Sequence, residues 1–219
     1  MTTHSLSTWI GRHKVGSLIY HDDTGRFVFD YEPDWVTNYN AFPISPALPF
    51  QRPAELSDEL HSVSVRRYFE NLLPEGKALE DAAALHAVSK ANLFGLLRWL
   101  GQESAGALCL LANDKNPSQV TDARREITYA ELSERVNDRA NHPFNIWDDR
   151  VRMSIAGYQD KLAVYSDTTQ RLYLVEGRLA STHILKPEPL NPKLTNMVAN
   201  EHFCMMLAKL LGLQVAEVD

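Results

Sequence analysis

A lysine, a glutamate and a glycine-centred loop stand in this chain at spacings that would let them hold a polyphosphate. The loop is Ser154-Ile-Ala-Gly157-Tyr-Gln-Asp-Lys161. Gly157 has no Cβ, so the backbone can bend sharply there and approach an anion closely. Successive N–H groups around it can donate to phosphate oxygens. Lys186 ends the run Thr-His-Ile-Leu-Lys over 182–186 and offers those oxygens a point charge. Glu201 lies in the helical pattern that follows, where a carboxylate can hold the lysine in place. On pattern alone each residue also has a plainer reading. Lys186 reads as a solvated strand-end lysine, Glu201 as a stripe-edge glutamate reaching water, Ser154 as a hydrogen-bonding strand serine, and Asp160 and Lys161 as turn residues.

The elements that must position these groups are legible around them. Residues 161–166 read as a strand, Asp-Thr-Thr-Gln as a turn, 171–175 as a second strand and 182–186 as a third. A helix is predicted from about Thr195 to Leu211, stopped by Gly212. Met197, Glu201, Cys204, Ala208 and Leu211 share one face of it. A lone carboxylate on that stripe is costly to bury unless paired, and Lys186 is the natural partner. Strand, glycine loop, strand, lysine-bearing strand and glutamate-bearing helix is the order of parts in the N-terminal lobe of a protein kinase.

Further upstream, the first third of the chain reads as a small sheet. Ser-Thr-Trp-Ile-Gly, Lys-Val-Gly-Ser-Leu-Ile-Tyr and Arg-Phe-Val-Phe-Asp-Tyr are β-branched or aromatic runs separated by turn signals at Gly11 and Gly25. Residues 42–49 are punctuated by prolines and are expected to be extended or irregular. Val65, Tyr68, Phe69, Leu72 and Leu73 recur at helical spacing before Pro74. A second helix is predicted over 77–88 and a third over 90–100, closed by Gly101. A short strand over 107–112 is followed by a polar stretch, 113–122, that reads as loop, and Thr128 is placed to cap a helix over 128–139. The expected class is α+β: a small β-meander with helices, then an antiparallel sheet with one flanking helix. The expected divisions are 1–112, a linker and helix over 113–145, and 146–219.

The wording of these stretches goes further. Arg-Met-Ser-Ile-Ala-Gly-Tyr-Gln-Asp-Lys-Leu-Ala-Val (152–164), Ser-Thr-His-Ile-Leu-Lys-Pro (181–187) and Asn-Glu-His-Phe-Cys-Met-Met-Leu-Ala-Lys-Leu-Leu-Gly-Leu (200–213) resemble the HipA-type toxins of bacteria. Tyr-Phe-Glu-Asn-Leu-Leu-Pro-Glu-Gly (68–76) and residues 96–111 resemble that family's N-terminal subdomain. The resemblance implies a serine/threonine protein kinase of a toxin–antitoxin system. ATP phosphates would then lie against Ala156, Gly157, Tyr158, Gln159, Asp160 and Lys161, with Lys186 on the phosphates and Glu201 positioning it. It also implies that Ser154 is an autophosphorylation site whose dianion, beside Asp160 and the ATP phosphates, is repelled so that the loop is expelled and the enzyme silenced.

Implied partners are a DNA-binding antitoxin of the HipB type and a protein substrate such as an aminoacyl-tRNA synthetase. A C-terminal kinase lobe or a separate kinase chain is a further partner. Family members take their catalytic aspartate, an asparagine and a metal-binding aspartate from that lobe. No His-Arg-Asp or Asp-Phe-Gly triplet occurs in this chain. It therefore reads as the N-terminal part of a longer kinase, half of a split toxin, or a short relative. ATP and Mg²⁺ would be held by the complete kinase and only weakly or not at all by this stretch. The alternative is a non-catalytic protein that binds an antitoxin or regulates a separate kinase chain.

Composition sets the outer bounds. The chain has 219 residues, 44% of them hydrophobic, enough for one large or two small cores. A net charge of −6 argues against direct nucleic-acid binding. Cys109 and Cys204 are too few for a disulfide framework or a zinc cluster, as expected for a reducing cytoplasm. No secretory or membrane-spanning pattern is read, so a cytoplasmic location with no membrane partner is expected. The histidines form no HExxH motif, and Asp148-Asp149-Arg150 reads as a solvated turn rather than a metal site. Trp35 and Trp99 read as core or interface anchors.

Overall fold

The structure is a computed structural model that describes residues 2–104, 107–152, 159–177 and 179–219. Its strands are β1 (Thr3–Ile10), β2 (His13–His21), β3 (Arg26–Tyr31), β4 (Leu108–Ala112), β5 (Ala123–Ile127), β6 (Ile146–Trp147), β7 (Arg150–Val151), β8 (Leu162–Ser166), β9 (Leu172–Glu176) and β10 (His183–Leu185). Its α-helices are α1 (Pro33–Val36), α2 (Asp58–Glu70), α3 (Gly76–Leu85), α4 (Leu93–Leu100), α5 (Tyr129–Asn137) and α6 (Met197–Leu210).

The predicted meander forms an antiparallel sheet in the order β3-β2-β1-β4. Leu6, Val15, Leu18, Phe27 and Phe29 project from it into a core completed by Val65 and Phe69 of α2 and by Leu93, Leu96, Leu97 and Leu100 of α4. Both helices start on side-chain caps. Ser57 Oγ accepts from the Leu60 N–H, and Asn92 Oδ1 accepts from the Gly95 N–H. The proline-rich stretch lies irregularly, held where Tyr31 donates to the Leu48 carbonyl and Trp35 to the Phe42 carbonyl.

Gly101 closes α4 as expected, but by a different geometry. Its φ is −67°, so no left-handed cap forms, and the chain runs on into a 3₁₀ turn. The position is glycine because a Cβ there would stand 2.7 Å from the Leu110 Cβ. α4 is thereby brought down onto β4.

The second sheet runs β10-β8-β9-β5, all antiparallel. Its core is Ile127, Phe144, Trp147, Leu162, Val164, Leu172 and Leu174, with Leu132 and Val136 of α5 partly buried against it. β5, which the sequence reading leaves within a linker, pairs along its whole length with β9. Its sequence, Ala-Arg-Arg-Glu-Ile, is too charged to announce a strand, and only Ile127 is buried. Thr128 caps α5 as expected, accepting from the Glu131 N–H.

The β8–β9 turn is knotted by the Asp167 carboxylate. One of its oxygens accepts from the Thr169 and Arg171 N–H groups and the Thr169 hydroxyl. These bonds, the Thr169 hydroxyl foremost, hold the Asp167 carboxyl well below the usual range. Opposite this turn the sheet leads, through β10, to the lysine and the helix that pairs with it.

Candidate functional site

β10 delivers Lys186 one residue beyond its last paired position, Leu185↔Leu162. A chain segment then crosses to α6. The Lys186 ammonium and the Glu201 carboxylate meet in a hydrogen-bonded ion pair. The side chains are 33% and 42% exposed, so the pair is half-exposed rather than buried in the core. Lys161, at the start of β8, lies close enough to feel the same charges. Burial, and then the neighbouring Lys186 ammonium, hold its amine below the usual lysine range, while Glu75 and Glu201 oppose that shift. Lys161 and Lys186 thus bring positive charge into one neighbourhood beside Glu201.

Nearly buried arginines hold the described residues on either side of 153–158. Arg152, 4% exposed, immediately precedes residues 153–158. It donates to Glu176 Oε1 at 2.7 Å and to Asp148 Oδ2 at 3.1 Å. Arg150 adds a bond to the other Glu176 oxygen at 3.0 Å, and Arg125 Nε lies 3.2 Å from Asp148 Oδ2. Asp148 and Asp149 take positive φ of 53° and 57° to make the tight β6–β7 turn. Asp148 is therefore more than a solvated turn residue, since it carries two guanidinium partners.

On the far side of the loop, Asp160 Oδ2 pairs with Arg139 Nη1 at 3.2 Å. Gln159 Nε2 lies 3.5 Å from the Pro187 carbonyl oxygen. Ser154, Ala156, Gly157 and Tyr158 lie outside the described residues. The structure therefore brings Asp160, Lys161, Lys186 and Glu201 into one neighbourhood, with Gln159 beside Pro187.

Sequence reasoning passed over Arg139, Arg152 and Glu188. Glu188 caps α6, its two carboxylate oxygens accepting from the Met197 and Val198 N–H groups at 3.0 Å each. The signal that could have found it was an acid just ahead of the predicted helix start, although the nine-residue gap disguises the cap. At the other end, the predicted Gly212 stop holds. Gly212, at φ +82°, donates to the Lys209 carbonyl and Leu213 donates to the Ala208 carbonyl, a Schellman arrangement.

The predicted apolar stripe of α6 is not packed as expected. Glu201, Met205 and Ala208 are its half-covered positions, whereas Cys204 and Leu211 are exposed. Phe203, Met206, Leu207 and Leu210 also face outward, at 64, 40, 45 and 82% exposure. Apolar residues lie on most faces of α6, broken by Asn200, Glu201, His202 and Lys209, and none of its residues is buried.

A cleft of about 370 Å³ lies elsewhere, walled by Leu108 and Cys109 of β4, Val120, Leu174 and Glu176. It contains neither Lys186 nor Glu201, so the charge cluster, not the cleft, defines the candidate site. Burial pushes the Cys109 thiol up to about 11, so it is no ready nucleophile. Among the described residues no group of three or more His, Cys, Asp or Glu side chains is placed to hold a metal. No described helix is long and apolar enough to cross a membrane.

Two family models match the chain, the HipA N-terminal domain over residues 6–111 and the HipA-like C-terminal domain over residues 153–219. The chain belongs to the HipA family. Its similarity to the serine/threonine-protein kinase toxin HipA of Shewanella oneidensis is 34% identity over 217 residues, 99% of this chain and 47% of that relative. The protein Y4mE of Sinorhizobium fredii is 32% identical over 224 residues, covering 100% of this chain and 51% of its own length. A solved complex of HipA, HipB and operator DNA from Shewanella oneidensis superposes with a TM-score of 0.75 at 33% identity, covering 98% of this chain and 47% of that one. The chain thus spans about half the length of the HipA-family relatives it matches. Lys161, Lys186 and Glu201 fall inside the second HipA match, whereas Arg139, Asp148 and Arg152 fall between the two.

Proposed function

We propose that this chain is the nucleotide-binding N-terminal part of a HipA-type toxin, a serine/threonine protein kinase of a toxin–antitoxin pair. The observation that carries the reading is the Lys186–Glu201 ion pair with Lys161 beside it. A polyphosphate is the ligand that two converging ammonium groups and a neighbouring loop suit best. Residues 156–161 and Lys186 hold ATP phosphates, and Glu201 positions Lys186. Residues 1–112 form a subdomain packed beside the kinase lobe, residues 113–145 connect the two, and 146–219 are the lobe itself. The carboxylate that holds Mg²⁺ would come, like the catalytic base, from a C-terminal lobe. ATP bound at this site would supply the γ-phosphoryl group. The protein's share is to place the phosphates and neutralise charge, which supplies much of the rate in such transfers. The base that accepts the hydroxyl proton comes from a C-terminal lobe.

One observation favours a second partner-binding role. The exposed Phe203, Met206, Leu207 and Leu210 of α6 form an apolar face on the lysine-pairing helix itself. A C-terminal kinase lobe, or a separate kinase chain, would cover it. A HipB-type antitoxin is the partner suggested by the HipA–HipB–DNA complex to which the chain is similar.

The division of labour is tested by incubating the purified 219-residue chain with labelled ATP, Mg²⁺ and a generic protein acceptor, with Ser154 followed by mass spectrometry. No incorporation is expected from the chain alone. Robust incorporation that vanishes in Lys186→Ala would show that the chain needs no second lobe.

A further inference from the structure

Arg139 is the most thoroughly engaged cation near the candidate site, and neither the pattern of the loop nor that of the lysine strand predicts it. Its side chain is only 6% exposed. Each of its three nitrogens donates to a different segment. Nε donates to the Val136 carbonyl at 2.9 Å, Nη1 to Asp160 Oδ2 at 3.2 Å and Nη2 to the Glu188 carbonyl at 2.7 Å. The first tie is to the end of α5. The second is to the residue that leads out of the glycine loop. The third is to the segment that joins Lys186 to α6.

Glu188 continues the chain of contacts. Its backbone carbonyl is held by Arg139 while its carboxylate caps the first turn of α6. Bonds from Val198 and then Met197, with the Arg139 charge behind them, hold the Glu188 carboxyl below the usual range. One guanidinium therefore fixes where α6 begins, and α6 carries Glu201. A planar donor fork with several fixed directions does this in a way that a lysine cannot.

We infer that Arg139 is a positioning residue, a clasp that locks the exit of the loop at Asp160 to the Lys186–Glu201 arm through Glu188. The inference rests on the phosphate-site reading for its purpose, but its geometry can be tested without nucleotide. In Arg139→Gln the fork is lost, Glu188 is released and Glu201 drifts from Lys186. In Arg139→Lys the charge stays near Asp160 but reaches fewer partners at once.

The experiment is acetylation of the whole chain by an activated ester, with site-specific rates read by mass spectrometry. Lys186 is compared with Lys14 and Lys90, which pair with Glu32 and Glu80 far from Arg139 and serve as internal controls. Arg139→Gln is expected to raise the Lys186 rate by about threefold, the change expected when a partly exposed ion pair is released. Glu201→Gln should raise it equally, Arg139→Lys should fall between, and the two controls should not move. A Lys186 rate in Arg139→Gln equal to wild type overturns the inference. A rise shared by all three lysines also overturns it, because it marks general loosening rather than positioning. A separate failure of ATP to slow Lys186 acetylation when a C-terminal kinase lobe is present would strike the kinase reading and leave this comparison intact.

Discussion

Arg152 and Glu176 face each other at 2.7 Å with the arginine 4% exposed, and this contact anchors the strand that runs into the glycine loop. The Arg152 hydrogen bond first, and the Arg150 charge after it, hold the Glu176 carboxyl below the usual range. A carboxyl depressed in the folded state stabilises above its unfolded value, near 4.3, and loses that contribution as pH falls through the folded value. Glu176→Gln should therefore destabilise the chain by about 1–3 kcal/mol at neutral pH, since a buried guanidinium loses a charged partner and keeps only Asp148. Thermal melts at pH 7 should show the loss, and the gap between variant and wild type should narrow below about pH 4. A gap that stays constant with pH would place the stabilisation elsewhere.

Gly101→Ala tests the seam between α4 and β4. The added methyl would meet the Leu110 Cβ at 2.7 Å, with no flexible side-chain end to yield. Overpacking of this kind costs about 1–3 kcal/mol. Urea denaturation should show a lower midpoint with an unchanged slope. A variant as stable as wild type would mean that α4 can shift freely over the sheet.

Much of the fold was open to sequence reading because burial and periodicity coincide in it. The meander strands are β-branched and aromatic runs, and β3 alternates in and out; α2 and α4 carry apolar stripes behind Ser57 and Asn92 caps, and Asp167 announces its turn. β5 was hidden because an edge strand with Arg124, Arg125 and Glu126 has no apolar alternation to show. The pairing of Lys186 with Glu201 was legible because one acid sat on an otherwise apolar stripe of the helix. Arg139, Arg152 and Glu188 were not, because the contacts that tie them to other segments lie 21 and 49 residues from Arg139, 24 from Arg152 and 9 and 10 from Glu188, and no local pattern records such contacts. The stripe of α6 misled in a different way. A helix with apolar residues on most of its faces does not say which of them will be covered.

Glu201→Gln separates positioning from folding. The pair is 33% and 42% exposed, so its loss should change stability by less than about 1 kcal/mol. Its effect should appear instead in nucleotide affinity, which should weaken several-fold when measured by titration in an assembly that includes a C-terminal kinase lobe. Unchanged affinity would count against any role for Glu201 in holding Lys186 to the phosphates.

The most direct test of the central claim uses an ATP analogue with an acyl phosphate at its terminus, which transfers its acyl group to whichever lysine lies against the phosphates. The chain, assembled with a C-terminal kinase lobe, is labelled with excess probe, digested, and mapped with and without competing ATP. The account predicts that Lys186, with Lys161 as the other acceptor, carries the label, that ATP suppresses it, and that Lys186→Ala removes most of it. Label spread evenly over surface lysines such as Lys14, Lys77 and Lys90, and indifferent to ATP, would contradict a phosphate site at Lys186.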